Sequence, residues 1–472
     1  MKPHCRNFRQ DVDRACHDAP QRRVLDHATR YFQNKRRVAL EGFEGGDAHF
    51  ARARHARLSA LARLPELLVE LERNATAAGV RVHWAGDAAE ARAIVVDIAR
   101  QAGAKIAVKG KSMITEEIAL NPALEQAGLE VWETDLGEFI VQLAGEAPSH
   151  IIAPAIHKSR AQVAELFRDK LGLDLSGEET IPELTLLARR ALREKFLAAD
   201  LGITGANMAI ASTGSVVLVE NEGNIRMSTT CPRVHVAVMS LEKVVATPED
   251  AADVLRALPR SATGQRMSSY VSVLTGPRRD EDADGAREMH LVILDGGRSK
   301  VLADPALAEI LLCFRCGACV NACPVYQTVG GHAYGWVYSG PIGAVLGSAL
   351  LPVADAPDTP YGCTQCGACK RTCPLSIDHP RMLLSLRRRV AEGRANPLGA
   401  LHAFLARHPL AYRAAVGLAW AVDPHLDLLP KVSRVEGLAR FVESRQLPAL
   451  KKRFSARFRA RQKARSSSGG RA

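Results

Sequence analysis

A run of four cysteines that occurs twice constrains the fold of this chain more than any other feature. Both copies have the spacing C-x2-C-x2-C-x3-C followed by proline. The eight cysteines are Cys313, Cys316, Cys319 and Cys323, then Cys363, Cys366, Cys369 and Cys373. Bacterial ferredoxin-type domains hold two [4Fe–4S] clusters with this doubled pattern, each thiolate binding one iron corner. The sequence therefore predicts a domain that carries electrons through two [4Fe–4S] clusters.

Zinc is the main alternative ligand, because paired C-x-x-C knuckles also build four-cysteine zinc sites. A zinc ribbon places two ligands in each knuckle, however, whereas each run here has four cysteines within eleven residues. A disulfide framework is disfavoured, since the chain start does not resemble a signal peptide and the length does not suit a small cross-linked domain. The remaining Cys5, Cys16 and Cys231 lack ligand spacing and are interpreted as ordinary thiols.

The fourth cysteine of each run usually binds the other cluster in two-cluster ferredoxins. This exchange predicts two ligand sets, namely Cys313, Cys316, Cys319 and Cys373 for cluster 1, and Cys363, Cys366, Cys369 and Cys323 for cluster 2. The segment between the runs contains Tyr326, Tyr334, Trp336 and Tyr338, in a chain with only 5% aromatics. We expect a hydrophobic cover over the clusters, with a docking surface for a redox partner as the alternative.

Length and charge bound the remaining possibilities. A chain of 472 residues exceeds the usual size of one core, so more than one domain is expected. Nine of the basic residues behind the net charge of +12 lie at 451–472, which contains no acid. We expect a frayed solubilising tail there, with contact to an acidic membrane or protein surface as the alternative. Nucleic-acid binding is not supported, because no reading element or zinc finger is present.

No transmembrane helix is predicted, because the longest apolar segments, 340–354 and 414–422, fall short of the ~20 residues that a span requires. Cluster ligands and unpaired thiols suit a reducing compartment. The predicted location is therefore the cytoplasm, with peripheral membrane contact left open.

Strands and helices alternate after residue 86, which is typical of a parallel sheet with helices on both faces. Helices are predicted at 88–102, 112–127, 136–143 and 159–171, and strands at 104–108, 129–133 and 150–153. Four further strands are predicted at 215–220, 234–239, 270–275 and 290–294. In the helical start of the chain, Pro65 leaves open whether 51–74 forms one kinked helix or two. The predicted organisation is a helical region at 1–85, an α/β domain at 86–300, a ferredoxin-type domain at 301–395 and a helical region with a basic tail at 396–472.

Four stretches of the α/β domain are polar where a plain core would be apolar. Gly110, Lys111 and Ser112 occupy a strand-to-helix turn that suits either an anion or an ordinary helix start. Asp135 follows the next strand, where ligands gather in open α/β sheets, but it would also serve as a helix cap. His150 and His157 are expected to be structural. The fourth stretch offers either a ligand crevice or plain turn residues, at Asn207, Thr213, Ser215 and Glu222.

These stretches and the doubled cysteine run together resemble the lactate utilization protein B family, the iron–sulfur subunits of a three-protein bacterial L-lactate oxidation system. The matching text includes Lys111-Ser-Met, Glu133-Thr-Asp-Leu-Gly-Glu, Pro154-Ala-Ile-His, Gly205-Ala-Asn and Asn221-Glu-Gly-Asn. The resemblance implies an N-terminal LUD domain, similar in fold to sugar-phosphate isomerases and CoA-transferases, followed by the ferredoxin-type domain. It also implies two companions, a cysteine-rich-domain iron–sulfur subunit and a small LUD protein.

The function implied by this resemblance is electron transfer during NAD-independent oxidation of L-lactate to pyruvate. No catalytic residue of the LUD domain carries over from the family, so whether the chain is itself an enzyme is left open. Two alternatives remain at this point. One is an iron–sulfur subunit of another dehydrogenase or of a heterodisulfide-reductase-like complex, and the other is a ligand-sensing LUD protein.

Overall fold

The computed structural model describes residues 3–392 and 397–422, and the chain divides after Ala391 into two units that are described separately. The first unit begins with four helices: α1 (Phe8–His17), α2 (Ala19–Glu41), α3 (Gly46–Ala62) and α4 (Leu64–Ala77). The stretch at 51–74 therefore forms two helices, one of the two predicted alternatives. Pro65 lies in the first turn of α4, where the missing backbone N–H costs nothing.

Ten strands in the described residues form two sheets. They are β1 (Arg81–Ala85), β2 (Ile106–Lys109), β3 (Glu130–Glu133), β4 (Leu201–Gly205), β5 (Met208–Ile210), β6 (Ser215–Glu220), β7 (Val234–Ser240), β8 (Val244–Val245), β9 (Tyr270–Leu274) and β10 (Glu288–Leu294). The larger sheet has the order β1-β10-β7-β4-β2-β3, and every neighbouring pair in it is parallel. The smaller sheet has the order β8-β5-β6-β9.

Helices cover both faces of the larger sheet, as the alternating pattern predicts. They are α5 (Ala88–Gln101), α6 (Met113–Glu117), α7 (Leu120–Gln126), α8 (Leu136–Ala144), α9 (Arg160–Leu171) and α10 (Ile181–Ala198). Neighbouring residues of β2 face opposite ways: Ala107 packs with α5 and α7, whereas Val108 packs with α8, α9 and α10. The mixed α/β architecture with a parallel sheet is thereby confirmed.

The predicted strand at 150–153 is wrong, because this segment forms bends that lead into a turn at 154–157. The ring Nδ1 of His150 accepts hydrogen bonds from the backbone N–H groups of Ile152 and Ala153, both at 3.1 Å. Ser149 in turn donates its backbone N–H to the carbonyl of Pro154 at 2.9 Å. These local bonds replace the neighbouring strand that an extended segment would need.

The predicted helix at 112–127 is divided into α6 and α7. Ala119 between them adopts a left-handed backbone conformation with φ of 53°. Pro122 provides the physical reason, because its ring removes a backbone N–H and clashes with the carbonyl four residues earlier in a continuous helix.

Strand β4 lies at the centre of the larger sheet, although its two glycines make it a poor strand by composition. A Cβ atom on Gly202 would lie 1.8 Å from the carbonyl oxygen of Ser228. Gly202 is therefore required for the close packing of α11 (Asn224–Thr230) against this strand. The next two helices along the chain are α12 (Pro248–Ala262) and α13 (Arg298–Leu302).

The cysteine-rich segment folds into short helices that pack on the α/β part. They are α14 (Ala318–Asn321), α15 (Pro324–Val329), α16 (Gly340–Leu350), α17 (Ala368–Thr372) and α18 (His379–Ala391). One hydrophobic core joins Leu25 of α2, Leu67 of α4, Val217 of β6 and Ile342 of α16. The apolar stretch at 340–354 thus supplies a buried helix of this core.

The second unit contains the described helices α19 (Pro397–Arg407) and α20 (Pro409–Val422). The predicted basic tail at 451–472 lies outside the described residues. Across residues 3–392 and 397–422, no helix combines the length and the apolar character needed to span a bilayer.

A chain of buried charges connects the sheet to the first cysteine run. Arg298 donates two hydrogen bonds to the carboxylate of Glu117, at 2.9 and 2.6 Å. Its Nε lies 3.2 Å from the buried carboxylate of Glu242, whose other oxygen lies 3.4 Å from Arg315. Burial opposes ionisation of Glu242, but Arg298 and Arg315 outweigh it and hold the pKa of this carboxyl at about 2.

Replacing the central arginine tests this connection. Arg298→Met leaves Glu117 and Glu242 buried without their main partner, so we expect a loss of about 3–5 kcal/mol in the free energy of unfolding. Denaturant unfolding of the anaerobically purified protein, followed by circular dichroism, measures the loss. Arg37→Met is the matched control, because Arg37 pairs with Glu41 on an exposed helix face and should change stability little. Equal losses in the two variants would show that the buried charges around Arg298 do not stabilise the fold more than an exposed ion pair does.

Candidate iron–sulfur centre and adjoining cavity

The two cysteine runs fold into loops of the same backbone conformation. The residue before the second cysteine is left-handed in both, with φ of 63° at Arg315 and 58° at Gln365. The glycine after the second cysteine is also left-handed in both, with φ of 74° at Gly317 and 73° at Gly367. A short helix then carries the third cysteine, and a helix or turn follows the proline. The sequence repeat is thus a repeat of structure.

In each loop a backbone N–H points at the first sulfur. Arg315 donates to Cys313 Sγ and Gln365 donates to Cys363 Sγ, both at 3.3 Å. Backbone donors of this kind stabilise negative charge on a thiolate and on a cluster bound to it.

The fourth cysteine of the first run lies with the first three of the second run. A small cavity of about 20 Å³ is lined by four thiol-bearing residues, Cys323, Cys363, Cys366 and Cys369. Cys323 and Cys369 are buried, Cys363 is half-buried and Cys366 is exposed. The chain therefore brings together the four residues that the sequence assigns to cluster 2.

The other four cysteines form a second, more deeply buried neighbourhood. Burial raises the pKa of the Cys316 thiol, and the nearby Cys313 and Cys373 raise it further. Burial likewise raises the pKa of Cys319, with Cys313, Cys316 and Cys373 as the next causes. These are the residues that the sequence assigns to cluster 1.

The donor set suits a cluster with a positively charged metal core. Burial raises the pKa of Cys323 to about 11 and that of Cys369 to about 12. Such thiols ionise readily only when a metal ion offsets the charge of the thiolate. Eight sulfur donors in two groups, with hydrogen bonds to sulfur, fit two iron–sulfur clusters.

Four of the five aromatic residues between the runs, Tyr326, Tyr334, Trp336 and Tyr338, are buried, as the interpretation of a hydrophobic cover predicts, whereas Tyr361 is 46% exposed. Tyr326 donates its hydroxyl to the carbonyl of Ser149 at 3.0 Å, and Tyr338 donates to the carboxylate of Glu117 at 2.6 Å. These contacts attach the cover to the α/β part. The burial of Tyr326, Tyr334, Trp336 and Tyr338 within the chain disfavours the alternative that these four residues form a docking surface.

A cavity of about 400 Å³ adjoins the first cysteine loop. It lies at the carboxyl ends of the parallel strands, where open α/β sheets bind ligands. Its lining includes residues from three of the polar stretches, namely Lys111, Ser112, Asp135, Asn207 and Glu222, together with Phe314, Arg315 and Tyr338 of the cysteine-rich segment. Of the fourth-stretch candidates, Thr213 and Ser215 do not line it. Their hydroxyls bond to each other at 2.8 Å, so for them the turn interpretation holds.

Two lysines of opposite character flank this edge of the sheet. Lys109 is fully buried, and its Nζ lies 2.7 Å from Glu133 and 3.0 Å from Glu116. Lys111 lines the cavity, and its Nζ donates to the carbonyl of Ile152 at 2.5 Å. Lys109 is thus an internal counter-ion, whereas Lys111 is available to a ligand.

Sequence reasoning missed one lysine of the cavity. Lys243 is buried, lines the cavity and donates its Nζ to the carbonyl of Cys313 at 3.1 Å. The sequence feature that could have identified Lys243 is the charged pair Glu242-Lys243 between two apolar runs, because a segment that only fills the core would contain no charged residues there.

A carboxyl group of the cavity lining has an altered pKa. Glu222 Oε2 accepts a hydrogen bond from the backbone N–H of Leu136 at 3.2 Å. Burial raises the pKa of Glu222 to about 7, with the nearby Asp135 as the second cause. At neutral pH this group both donates and accepts protons readily.

The two histidines of the third stretch do not share a site. His150 is buried beside Asn321, with 3.1 Å between Nε2 and Oδ1, and burial lowers its pKa to about 3. His157 Nε2 lies 2.7 Å from the carboxylate of Glu146, and its ring is next to that of His332. His150 is structural, as predicted. Glu146, His157 and His332 are close enough to meet one ion, but Lys158 already pairs with Glu146.

Comparison with known proteins agrees with this geometry. Residues 68–294 match the LUD domain family, and residues 309–377 match the 4Fe-4S dicluster domain family. The chain is 42% identical over 470 residues to lactate utilization protein B of Shouchella clausii, covering 97% of each chain. It is 40% identical over 478 residues to lactate utilization protein B of a Geobacillus strain, covering 98% of this chain and 99% of the other.

A third relative is the uncharacterized electron transport protein YkgF of Escherichia coli, 41% identical over 386 residues that cover 82% of this chain and 81% of that protein. The two domains define a class: this is a LUD-domain iron–sulfur protein, with the LUD domain N-terminal to the cluster domain. Within that class, the chain belongs to the lactate utilization protein B family. The resemblance inferred from its motifs is confirmed.

Thiol reactivity tests which cysteines hold metal. Cys366 is exposed, and a hydrogen bond from the backbone N–H of Ala368 lowers its pKa. After iron is removed with a chelator, we expect iodoacetamide to modify Cys366 first among the eight cysteines. In the iron-loaded protein Cys366 should be protected.

Mass spectrometry of digested protein measures this modification. Cys16 and Cys231 are exposed cysteines outside the runs and serve as controls that should react in both states. Equal modification of Cys366 with and without iron would show that it is not a ligand.

Proposed function

We propose that this protein is the iron–sulfur electron-transfer subunit of a multi-subunit system that oxidises L-lactate to pyruvate. The observation that carries the proposal is the gathering of eight cysteines into two groups of four in a member of the lactate utilization protein B family. The Escherichia coli relative is named as an uncharacterized electron transport protein, which supports the same role.

The proposal assigns two [4Fe–4S] clusters with crossed ligands. Cluster 1 is held by Cys313, Cys316, Cys319 and Cys373, and cluster 2 by Cys363, Cys366, Cys369 and Cys323. The small cavity that collects Cys323 with the second run supports this assignment. When bound, each cluster takes up and releases one electron, so a pair matches the two electrons lost when a 2-hydroxy acid becomes a 2-keto acid.

The protein's own residues provide the surroundings that electron transfer requires. The buried aromatic cover, including Tyr334 and Trp336, keeps water from the thiols. Arg36 donates to the carbonyl of Thr372 at 2.8 Å, next to Cys373, and places positive charge beside the cluster 1 thiols. Low water access and positive charge are the means by which a protein sets the reduction potential of a cluster.

The proposal also includes companions and a location. We assign as partners a cysteine-rich-domain iron–sulfur subunit and a small LUD protein, with a reducing cytoplasm as the compartment. The proposed domains remain those of the sequence pattern, at 1–85, 86–300, 301–395 and 396–472, except that β1 (Arg81–Ala85) pairs with β10 and belongs to the α/β domain. Nucleic acid has no part in the proposal, and peripheral membrane contact through the basic tail stays an alternative.

The crossed ligand set makes a prediction about single clusters. Anaerobically purified protein should contain about eight iron and eight sulfide per chain. Cys373→Ser should damage the cluster held by Cys313, Cys316 and Cys319, although Cys373 belongs to the other run. Electron paramagnetic resonance of the reduced protein measures this, with Cys316→Ser and Cys366→Ser as reference variants. Loss of the signal that Cys366→Ser removes would contradict the crossed arrangement, and stoichiometric zinc would replace the cluster assignment.

Growth tests the physiological role. Cells that carry only a Cys319→Ser variant should fail to grow on L-lactate and grow normally on pyruvate, provided that no other lactate dehydrogenase substitutes. The reason is that an interrupted electron path stops only the oxidation step. Cys231→Ser is the matched control, since Cys231 lies outside both runs and should support normal growth. Full growth on L-lactate with a stable, cluster-deficient Cys319→Ser protein would remove the electron-transfer role.

A further inference from the structure

We propose that the 400 Å³ cavity binds a small 2-hydroxy acid, with the carboxylate of the ligand on Lys111 and Lys243 and its hydroxyl on Glu222. The inference rests on the proposed function, and it goes further by placing substrate binding in this chain and not only in its companions.

The cavity is in direct contact with the first cysteine loop. Phe314 and Arg315, the two residues after Cys313, form part of its wall. Lys243, on the same wall, donates its Nζ to the carbonyl of Cys313 at 3.1 Å. A molecule in the cavity would therefore lie within a few bonds of a cluster 1 ligand, which is the position that a source of electrons needs.

The two lysines favour an anionic ligand. Lys111 and Lys243 donate hydrogen bonds to backbone carbonyls, those of Ile152 and Cys313 respectively. Among the described residues, neither amino group lies within 4.0 Å of a carboxylate oxygen. Lys109, by contrast, is paired with two carboxylates. A carboxylate that enters the cavity would give both lysines the charged partner that they lack.

The part of the lining that carries Glu222 favours a ligand with a hydroxyl group and a single negative charge. Glu222 and Asp135 lie together there, and Glu222 is able to hydrogen-bond an alcohol as donor or acceptor. Glu220 also lines the cavity, with its carboxylate held by the backbone N–H groups of Ile225 and Arg226. Three carboxyl groups on one wall would repel a phosphate dianion more than a monocarboxylate.

The size and the apolar part of the lining agree with this class. A volume of 400 Å³ is within the range of small-molecule sites, which begins at about 300 Å³. Ile151, Met239 and Leu258 line the cavity and suit a short alkyl group. The lining therefore offers separate positions for the carboxylate, the hydroxyl and the alkyl group of a 2-hydroxy acid.

Calorimetric titration of L-lactate into the anaerobic, cluster-loaded full-length protein tests the proposal. We expect saturable binding to one site per chain, and a change in the paramagnetic signal of reduced cluster 1 but not of cluster 2. Lys111→Met and Glu222→Gln should each weaken binding about tenfold or more, because each removes a charge-assisted hydrogen bond.

Lys105→Met is the matched control, since Lys105 is exposed at the other end of β2 and the variant protein should bind L-lactate normally. Iron content and circular dichroism establish that each variant is folded and loaded.

Three results would overturn the inference. The first is no binding at about 10 mM L-lactate, a concentration above the usual range of substrate affinities. The others are an unchanged affinity for L-lactate in both cavity variants, and binding of inorganic phosphate that displaces L-lactate. Failure of the inference differs from failure of the proposed function. If L-lactate does not bind but growth on L-lactate still requires Cys319, the electron-transfer role stands and the substrate site belongs to a companion.

Discussion

The carboxylate of Glu242 is the point at which the two halves of this structure are joined. It is fully buried, and it is shared by Arg298 of the α/β part and Arg315 of the first cysteine loop. Arg57 adds a second tie, because its guanidinium donates to the carbonyls of Leu311 and Val244 at 2.9 and 3.0 Å. These buried charges depend on one another, because removal of one leaves another charge buried without a partner and destabilises the fold. The loop conformation and the wall of the cavity both depend on this set.

Elements governed by local chemistry were predictable from the sequence. The eight cysteines were recognisable because a cluster requires short, fixed ligand spacings. The parallel sheet followed from alternating patterns, and three polar stretches at strand ends did meet in one cavity. The strand at 150–153 was wrong because the His150 ring binds nearby N–H groups, an effect that hydrophobic pattern does not encode.

Features that depend on distant parts of the chain were not predictable. Lys243 and Arg315 reach the cavity from separate elements, and their positions are set by the buried network around Glu242. Strand β4 was missed for a similar reason: Gly202 is required by a carbonyl group of α11, which no local propensity reports. A single sequence gives the residue types at such positions but not the contacts that select them.

The two sets of four cysteines differ in burial, so that one set lies deeper in the protein than the other. Cys316 and Cys319 are buried behind the α/β part, whereas Cys366 is exposed. The loop around Cys316 is fixed through Arg315, whereas the equivalent Gln365, within the part of the chain that the structure describes, hydrogen-bonds to Cys363 of its own loop. Of the eight cysteines of the two runs, Cys366 is exposed to an approaching protein. The proposed electron path would therefore have a polarity, with its inner end at the cavity and its outer end at the protein surface.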